Sequence, residues 1–401
     1  MAEKEEIIEA GGSEAARQNS QELRIVLAGG GSGGHIYPLL AVVEALREIS
    51  KEKQIDPQLY YLGPKGEEVK ILEAAKVSIR GLVGGKWRRY AALQNILDVP
   101  KFFISFFQSL WKLFWIMPDV IFSKGGSGSL PVVLAGWFYR VPILVHESDV
   151  IPGLSNAIAG KLAKRVAVSF EKAKFYFSPK KTAVTGGPVR PSLLKGGIIS
   201  PQDAKDALGF DPKRPVLLVL GGSQGAQALN NFVVTNLVKL TEIFQVFHQT
   251  GTNNFKEVEI LGKAAMSDVP AGEPHLSYHP RGYLTTEQMK LGLEAADLVL
   301  ARSGSNTLFE LAAFSKPAIL VPLPGSARDH QRLNAYSFAE KGGGLVIEQA
   351  NLFPDIFFEQ LEILLKDSAK LAEMGSASHR LFIPSASHVL ANELVLLSQK
   401  R

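Results

Sequence analysis

The stretch LRIVLAGGGSGGHIYPLLAVVEAL (23–46) decides the fold. Its apolar start, Leu23–Ala28, predicts a short buried strand, the glycines predict a tight loop, and the apolar spacing from Tyr37 to Ser50 predicts a helix. The stretch VLLVLGGSQGAQALNNFVV (216–234) repeats this order. Each stretch is therefore the first β-strand, loop and helix of a βαβ unit, and the chain contains two such segments.

Further apolar runs follow each opening and alternate with helical patterns, which is typical of parallel strands in doubly wound sheets. Strands are predicted at Leu23–Ala28, Leu59–Leu62, Val77–Leu82, Val120–Phe122, Ile143–Val145, Val166–Val168, Val216–Leu220, Phe244–Gln249, Leu298–Ala301, Ala318–Val321 and Gly344–Ile347. The fold class is α/β, with two Rossmann-like domains that face a central cleft. The predicted parts are a polar tail (1–22), a first domain (23–190), a second domain (191–366), and C-terminal helices (367–401) that could cross back to the first domain.

Composition and charge narrow the classes of function. The 401 residues include no Cys, which excludes disulfides, thiolate metal sites and a cysteine nucleophile. Six Glu against one Lys and one Arg give residues 1–22 a charge of −4, so the rest of the chain carries +9 within the overall +5. This excess predicts an anionic partner, either phosphate or an acidic membrane surface, and no nucleic-acid reader motif is present. We find no secretory signal at residues 1–22 and no uninterrupted apolar run of membrane-spanning length.

The glycine loops are candidate anion sites. Residues 29–34 match G-x-G-x-x-G, which lets a diphosphate approach the backbone at a helix N-terminus. An NAD site also needs an acidic residue at the end of the second strand, and Asp56 instead precedes that strand. Phosphate or sugar contact is thus favoured over NAD binding and over packing alone. Second turns at 125–129 and 302–307 would complete a site between the domains.

Two residues are candidates for proton transfer. His35 ends the first loop at a helix start, where the dipole should lower its pKa and leave the imidazole able to accept a proton; the alternative is a capping residue. Glu147 follows a predicted strand and could orient a hydroxyl or a histidine; the alternative is a buried hydrogen-bonded pair with His146 that holds the loop.

Two further residues suit a nucleotide. Arg190, between the predicted domains, could pair with a diphosphate, the alternative being an exposed linker arginine. Glu310 lies one turn into a predicted helix and could accept both hydroxyls of a ribose. Neither D-x-D nor the zinc spacing H-E-x-x-H occurs, so we expect a metal-free mechanism in which arginine and helix dipoles neutralise a leaving diphosphate.

The stretch FFISFFQSLWKLFWIM (102–117) predicts a helix that is apolar except for one narrow polar stripe. Such a helix is either buried on two sides or lies at a membrane interface. The interleaved basic and aromatic residues favour the interface, with lysines that reach anionic lipid. The predicted membrane contacts are Trp87, Arg88, Arg89, Lys101, Trp111, Lys112 and Trp115.

Together these motifs resemble one family. The segments GGGSGGHIYP (29–38), HESDVIPGLSN (146–156), TGGPVRP (185–191), GGSQGAQALN (221–230) and RSGSNTLFELAAFSKPAILVP (302–322) are similar to those of the MurG family of peptidoglycan N-acetylglucosaminyltransferases. The resemblance runs from about Leu23 to the C-terminus. It implies the GT-B fold and transfer of N-acetylglucosamine from UDP-GlcNAc to lipid I, with inversion, to give lipid II. It also implies a peripheral enzyme without cofactor at the cytoplasmic face of the inner membrane, and leaves contacts with other cell-wall or division proteins open.

The resemblance also implies residue roles. The first domain would bind acceptor and membrane, the second the donor, and His35 would be the base, with Glu147 as competitor. The implied donor-binding residues are Ser32, Gly33, Gly34, Asp149, Arg190, Ser223, Leu284, Ser305, Asn306, Thr307, Leu308, Phe309, Glu310 and Gln331. The implied acceptor-diphosphate loops contain Gly31, Gly125, Gly126 and Ser127.

Two positions depart from the family pattern. Its usual H-E-Q-N reads HESD here, so an Asn becomes Asp149, and its usual N-P-V-R has Gly187 in place of Asn. Two other classes stay open: another GT-B enzyme, such as a UDP-sugar:diacylglycerol glycosyltransferase or a UDP-GlcNAc epimerase, and a non-catalytic UDP-sugar-binding or membrane-scaffold protein.

Overall fold

Two parallel sheets organise the computed structural model, which describes residues 21–84, 93–222, 225–267 and 277–399. The first sheet contains β1 (Gln21–Gly29), β2 (Ile55–Pro64), β3 (Ser78–Leu82), β4 (Val120–Gly125), β5 (Ile143–Glu147), β6 (Arg165–Val168) and β7 (Thr182–Val184). The second contains β8 (Val216–Leu220), β9 (Gln245–Gln249), β10 (Ser277–Arg281), β11 (Leu298–Ala301), β12 (Ala318–Leu320) and β13 (Gly344–Val346).

The strand orders explain where ligands can bind. They are β3-β2-β1-β4-β5-β6-β7 and β10-β9-β8-β11-β12-β13. In each sheet the order reverses beside the first strand, between β1 and β4 and between β8 and β11. A crevice opens at this reversal, outside the carboxyl ends of the strands. In the first sheet Gly29 pairs with Gly125, so two of the predicted glycine turns are neighbours there.

Helices connect the strands. They are α1 (Gly33–Lys53), α2 (Val69–Ala74), α3 (Leu93–Ile116), α4 (Ser129–Phe138), α5 (Leu154–Leu162), α6 (Pro191–Leu194), α7 (Pro201–Ala207), α8 (Gln227–Thr235), α9 (Leu237–Ile243), α10 (Phe255–Ala265), α11 (Thr286–Ala295), α12 (Ser305–Ala313), α13 (His330–Glu340), α14 (Pro354–Leu365), α15 (Ser368–His379) and α16 (Ala386–Ser398). None of the described helices is long and apolar enough to cross a bilayer.

The C-terminal helices divide between the two sheets. α15 stays with the second domain, where the His379 ring bonds to the Ala312 carbonyl oxygen of α12. α16 packs beside α1 on the first sheet, and its Leu390 and Leu394 are fully buried in the first-domain core. A fully buried leucine contributes about 1.5–3 kcal/mol, so α16 is a firm part of the first domain.

The predicted fold class is confirmed, with differences in detail. β7 and β10 were not predicted, because Thr182–Val184 is a short edge strand with exposed side chains and Ser277–Arg281 lacks an apolar run. α1 begins at Gly33 instead of Tyr37, because glycine is a weak signal for a helix. Asp56 lies inside β2, but at its first residues and not at its carboxyl end.

Candidate functional site

A cleft of about 850 Å³ lies between the two sheets, and both domains line it. It brings together the predicted residues Ser32, Gly33, Gly34, His35, Gly126, Glu147, Asp149, Arg190, Leu284, Ser305, Asn306, Thr307, Glu310 and Gln331. The predicted residues Gly31, Gly125, Ser127, Leu308 and Phe309 do not line it. The lining residues lie close together because the loops that carry them leave the carboxyl ends of parallel strands.

Two of the predicted donor-binding residues outside the cleft have buried side chains. Leu308 and Phe309 pack in the second-domain core, and their donor-binding role stays a prediction. Glu310, the next residue of α12, does line the cleft. Ser223 lies outside the described residues, and its predicted role stays a prediction.

His35 lies on the first-domain wall of the cleft. Its ring packs against Gly30 and Gly126 and bonds to the Lys124 backbone, whereas Nδ1 has no partner among the described residues. Nδ1 itself is buried. Burial, followed by the charge of Lys124, lowers the pKa of His35 to about 4. The ring is thus neutral, as expected, but the main cause of its lowered pKa is burial and not the helix dipole. The His35 side chain does not cap the helix.

Glu147 holds the loop that follows β5. Its Oε1 accepts the Asp149 N–H at 2.9 Å, and its Oε2 accepts the Gly153 N–H at 3.2 Å and Asn156 Nδ2 at 3.0 Å. Burial, reinforced by the charge of Asp149, raises the pKa of Glu147 to about 7. This geometry matches the alternative in which the carboxylate is a structural group. The partner is Asn156, however, and not His146, which bonds to Ser169.

Lys124 is a residue of the cleft that the motifs did not identify. It lies near the end of β4 with its side chain buried, and its Nζ donates to Ser148 Oγ at 2.8 Å. Burial lowers the pKa of Lys124, and the charges of Glu147 and Asp149 oppose that shift. The sequence contains one signal that could have identified Lys124, namely a lysine directly between an apolar strand and a glycine turn.

Arg190 and Glu310 form an ion pair across the second-domain side of the cleft. Arg190 Nη2 lies 3.3 Å from Glu310 Oε1, and Nη1 donates to Thr286 Oγ1 at 3.2 Å. The guanidinium also lies over the Tyr37 ring, 4.8 Å from its centroid. Arg190 is buried, so the exposed-linker alternative is wrong. Burial raises the pKa of Glu310, and Arg190 opposes that shift.

Asn334 links the two domains at the departure from the family pattern. Its Nδ2 donates to Asp149 Oδ1 at 2.8 Å, and its Oδ1 accepts the Val150 N–H at 2.9 Å. Asn306 makes a second link, from its Nδ2 to the Gly33 carbonyl oxygen at 3.3 Å. Asp149 is thus an acceptor in an interdomain bond.

Gly187, the second departure, lies against an aromatic ring. A Cβ at position 187 would lie 2.1 Å from Phe309 Cδ2, which is far inside van der Waals contact. Phe309 itself packs on Phe170, with ring centroids 5.2 Å apart, so the ring has little room to move. Glycine is therefore required here by the ring of Phe309.

Replacing Gly187 with the Asn usual in the family should lower the free energy of unfolding by about 1–3 kcal/mol, the usual cost of overpacking a core. Urea unfolding of the purified variant measures it. Combining Gly187→Asn with Phe309→Ala removes the ring atoms that a Cβ at position 187 would meet, so the pair should cost less than the two single effects added. Strict additivity would contradict this explanation of Gly187.

The aromatic helix α3 presents its apolar side outwards. Its polar side chains face the protein: Ser105 and Ser109 are buried, and Gln108 Oε1 accepts the Val83 N–H at 3.0 Å. Trp111 and Trp115 are each 65% exposed. Burial on two sides is therefore wrong for the described part of this helix.

The predicted membrane lysines need one correction. The Lys112 ammonium donates to the Gly81 carbonyl oxygen, so the side chain turns back to the protein and does not reach outwards. Burial there lowers the pKa of Lys112. Lys101 is half-buried. Trp87, Arg88 and Arg89 lie outside the described residues, and their membrane role stays a prediction.

Comparisons with known proteins agree along both domains. The glycosyltransferase family 28 N-terminal domain matches residues 25–168, and the family 28 C-terminal domain matches residues 216–390. A UDP-N-acetylglucosamine–N-acetylmuramyl-(pentapeptide) pyrophosphoryl-undecaprenol N-acetylglucosamine transferase from Clostridium kluyveri is 34% identical over 85% of this chain and 91% of its own length. The protein of the same name from Treponema pallidum is 34% identical over 92% of this chain and 94% of its own length.

Solved structures share the fold. MurG from Acinetobacter baumannii superposes with a TM-score of 0.69 at 24% identity, covering 93% of this chain and 99% of that one. A UDP-GlcNAc 2-epimerase from Neisseria meningitidis superposes with a TM-score of 0.63 at 14% identity, covering 93% of this chain and all of that one. At these identities both likenesses concern the fold alone.

Proposed function

The chain belongs to glycosyltransferase family 28 and, within it, to the UDP-N-acetylglucosamine–N-acetylmuramyl-(pentapeptide) pyrophosphoryl-undecaprenol N-acetylglucosamine transferases, and on this premise we propose that it converts lipid I to lipid II. The donor is UDP-GlcNAc, and the acceptor is the N-acetylmuramyl sugar of lipid I. The observation that carries this proposal is the 34% identity with the Clostridium kluyveri transferase, which extends over 91% of the length of that protein.

The chemistry is one in-line displacement with inversion. The acceptor hydroxyl oxygen attacks the anomeric carbon, the bond from that carbon to the UDP oxygen breaks, and the hydroxyl proton passes to the imidazole of His35. Glu310 accepts hydrogen bonds from the ribose hydroxyls, while Arg190 and the N–H groups of the glycine loops neutralise the leaving diphosphate without a metal. The neutral ring of His35 on the cleft wall supports its role, whereas three N–H groups already donate to Glu147.

The direct test is transfer of labelled N-acetylglucosamine from UDP-GlcNAc to a lipid I analogue by the purified protein. The proposal expects a labelled disaccharide lipid and stoichiometric UDP. Release of the 2-epimer from UDP-GlcNAc, or donor binding without turnover on any lipid acceptor, would contradict it and favour an epimerase or a non-catalytic protein.

We also propose that the protein lies peripherally on the cytoplasmic face of the plasma membrane, where its acceptor lipid would be found. The outward aromatic side of α3 supports this, because a helix that turns its polar side chains inward leaves a surface suited to lipid headgroups and acyl chains. Trp137 and Phe138 at the end of α4 are also exposed, and α4 packs beside α3.

Replacing both Trp111 and Trp115 with Ser should weaken binding to vesicles of phosphatidylglycerol and phosphatidylcholine by at least about tenfold, because two exposed indoles no longer enter the interface. Vesicle sedimentation measures the change. A matched control replaces Ile260 and Phe353, two similarly exposed apolar residues of the second domain, with Ser. The control should bind as wild type does, and equal losses in both pairs would contradict a specific role of α3.

A further inference from the structure

Tyr37 is a residue of the cleft to which the proposed transfer mechanism gives no role. It lies near the start of α1, two residues after His35, and its half-buried side chain lines the cleft. The guanidinium carbon of Arg190 lies over the Tyr37 ring, 4.8 Å from the centroid. An arginine over an aromatic face is attracted to it, most strongly where water is excluded. Arg190 is buried, so this contact is of the stronger kind.

The hydrogen bonds of Arg190 do not fix its guanidinium by themselves. Nη1 donates to Thr286 Oγ1 at 3.2 Å and Nη2 to Glu310 Oε1 at 3.3 Å, both at the long end of the usual range. Nε is buried without a partner among the described residues. The ring of Tyr37 therefore supplies a contact that limits how far the guanidinium can tilt.

The hydroxyl of Tyr37 holds that ring against the second domain. It is hydrogen-bonded to the hydroxyl of Tyr283, which also lines the cleft and directly precedes the predicted donor-binding residue Leu284. Burial, followed by the charge of Glu310, raises the pKa of Tyr283 to about 12, so this hydroxyl keeps its proton. Tyr37 thus contacts both the arginine between the domains and the second-domain wall of the cleft.

The helix that carries Tyr37 also holds the backbone next to Arg190. Glu44, seven residues after Tyr37 on α1, accepts the Ser192 N–H at 2.8 Å and Ser192 Oγ at 2.9 Å. Residues seven apart lie on the same side of a helix. One side of α1 therefore supports the arginine twice, at its side chain through Tyr37 and at the following backbone through Glu44.

We propose that Tyr37 is a positioning residue for the donor, whose ring holds the Arg190 guanidinium in place for the diphosphate. This proposal rests on the proposed function, in which Arg190 neutralises the leaving UDP. Tyr37 contacts no reacting atom in that mechanism, so the effect of its ring on the donor passes through Arg190. Without the ring, UDP binding has to order the guanidinium as well, and affinity falls by that cost.

The test is calorimetric titration of UDP into wild type, Tyr37→Leu and Tyr37→Phe. Tyr37→Leu should raise the Kd of UDP by about 5- to 30-fold, which corresponds to the loss of a desolvated cation–π contact. Tyr37→Phe keeps the ring and loses only the hydroxyl bond, so its Kd should stay within about threefold of wild type. Equal losses in the two variants would overturn the proposal.

A double-variant cycle shows whether the ring acts through Arg190. In an Arg190→Met background, which keeps the side-chain length but not the cation, Tyr37→Leu should change the Kd of UDP by no more than about twofold. Losses that multiply would overturn the proposal and make Tyr37 a general support of the fold. If Arg190→Met does not fold, the comparison of Tyr37→Leu with Tyr37→Phe decides.

A second tyrosine under an arginine provides the matched control. The Arg332 guanidinium lies over the Tyr336 ring, 5.8 Å from its centroid, and neither residue lines the cleft. Tyr336→Leu should keep the Kd of UDP within about twofold of wild type, since its ring contacts no cleft arginine. A loss as large as that of Tyr37→Leu would contradict a specific role of Tyr37.

The outcomes separate this proposal from the proposed function. Wild-type protein that binds UDP but transfers no sugar contradicts the function alone, because the comparison of Kd values still applies. Wild-type protein that transfers sugar, together with Tyr37→Leu that binds UDP as tightly as wild type does, contradicts the positioning role alone. Wild-type protein without measurable affinity for UDP would overturn both.

Discussion

Replacing His35 with alanine should lower kcat for sugar transfer by about 10²- to 10⁴-fold, the range that a positioned general base contributes. The neutral imidazole of His35 lies on the first-domain wall of the cleft, and its loss leaves water to take the hydroxyl proton. His35→Gln should lose as much activity, because an amide can still donate to the Lys124 carbonyl oxygen but cannot accept a proton at this pH. Steady-state transfer to a lipid I analogue measures both variants.

A surface histidine and the pH profile complete this test. His388 pairs with Glu48 on α1, away from the cleft, and His388→Ala should keep kcat within about threefold of wild type. With His35 as base, the acid limb of kcat/KM should fall near pH 4, where the ring gains its proton. A limb near pH 7, abolished by Glu147→Gln, would assign the base to Glu147 instead.

Replacing Glu310 with glutamine should raise KM for UDP-GlcNAc by about 10- to 100-fold, since a hydrogen bond to a charged group contributes about 1.5–3 kcal/mol. Two effects act together. Glutamine is a weaker acceptor for the ribose hydroxyls, and Arg190 loses the carboxylate that lies 3.3 Å from its guanidinium. The free protein should also lose about 3–5 kcal/mol of stability, because a buried cation is left unpaired.

An exposed pair provides the control for Glu310. Glu340 pairs with Lys172 at the surface, both being more than half exposed, and Glu340→Gln should change neither KM nor the unfolding midpoint. Calorimetric titration of UDP against the Glu310 variant separates donor affinity from turnover. An unchanged KM with lowered stability would make Glu310 a structural partner of Arg190 and no donor contact.

The architecture could be predicted because its signals are local. An apolar run of four to six residues followed by glycines specifies a buried parallel strand and its turn, and each sheet begins in sequence with such a unit, at β1 and at β8. Parallel strands also bring their carboxyl ends to one edge, so loops far apart in sequence could be placed in one cleft. β7 and β10 were not predicted because Thr182–Val184 is short and exposed and Ser277–Arg281 has no apolar run.

The pairings inside the cleft could not be predicted. Arg190 and Glu310 are 120 residues apart, and Asp149 and Asn334 are 185 apart. Both pairs depend on how separate elements are placed in space, which no local pattern specifies. The orientation of α3 was equally hidden, because a helical wheel defines a polar stripe but not which side faces the sheet. Lys124 was overlooked because a single lysine in a sequence is usually solvated.

The return of α16 to the first sheet means that the chain passes between the domains twice. The segment before α6 makes the first crossing and the segment between α15 and α16 the second, and they touch: a Cβ at Gly186 would lie 2.9 Å from Ile383 Cβ. Ser387 Oγ also donates to the Val189 carbonyl oxygen at 2.7 Å. Two adjacent chain segments restrict twisting more than one would, so we expect any relative movement of the domains to be a hinge about this double crossing, which would widen or narrow the mouth of the cleft.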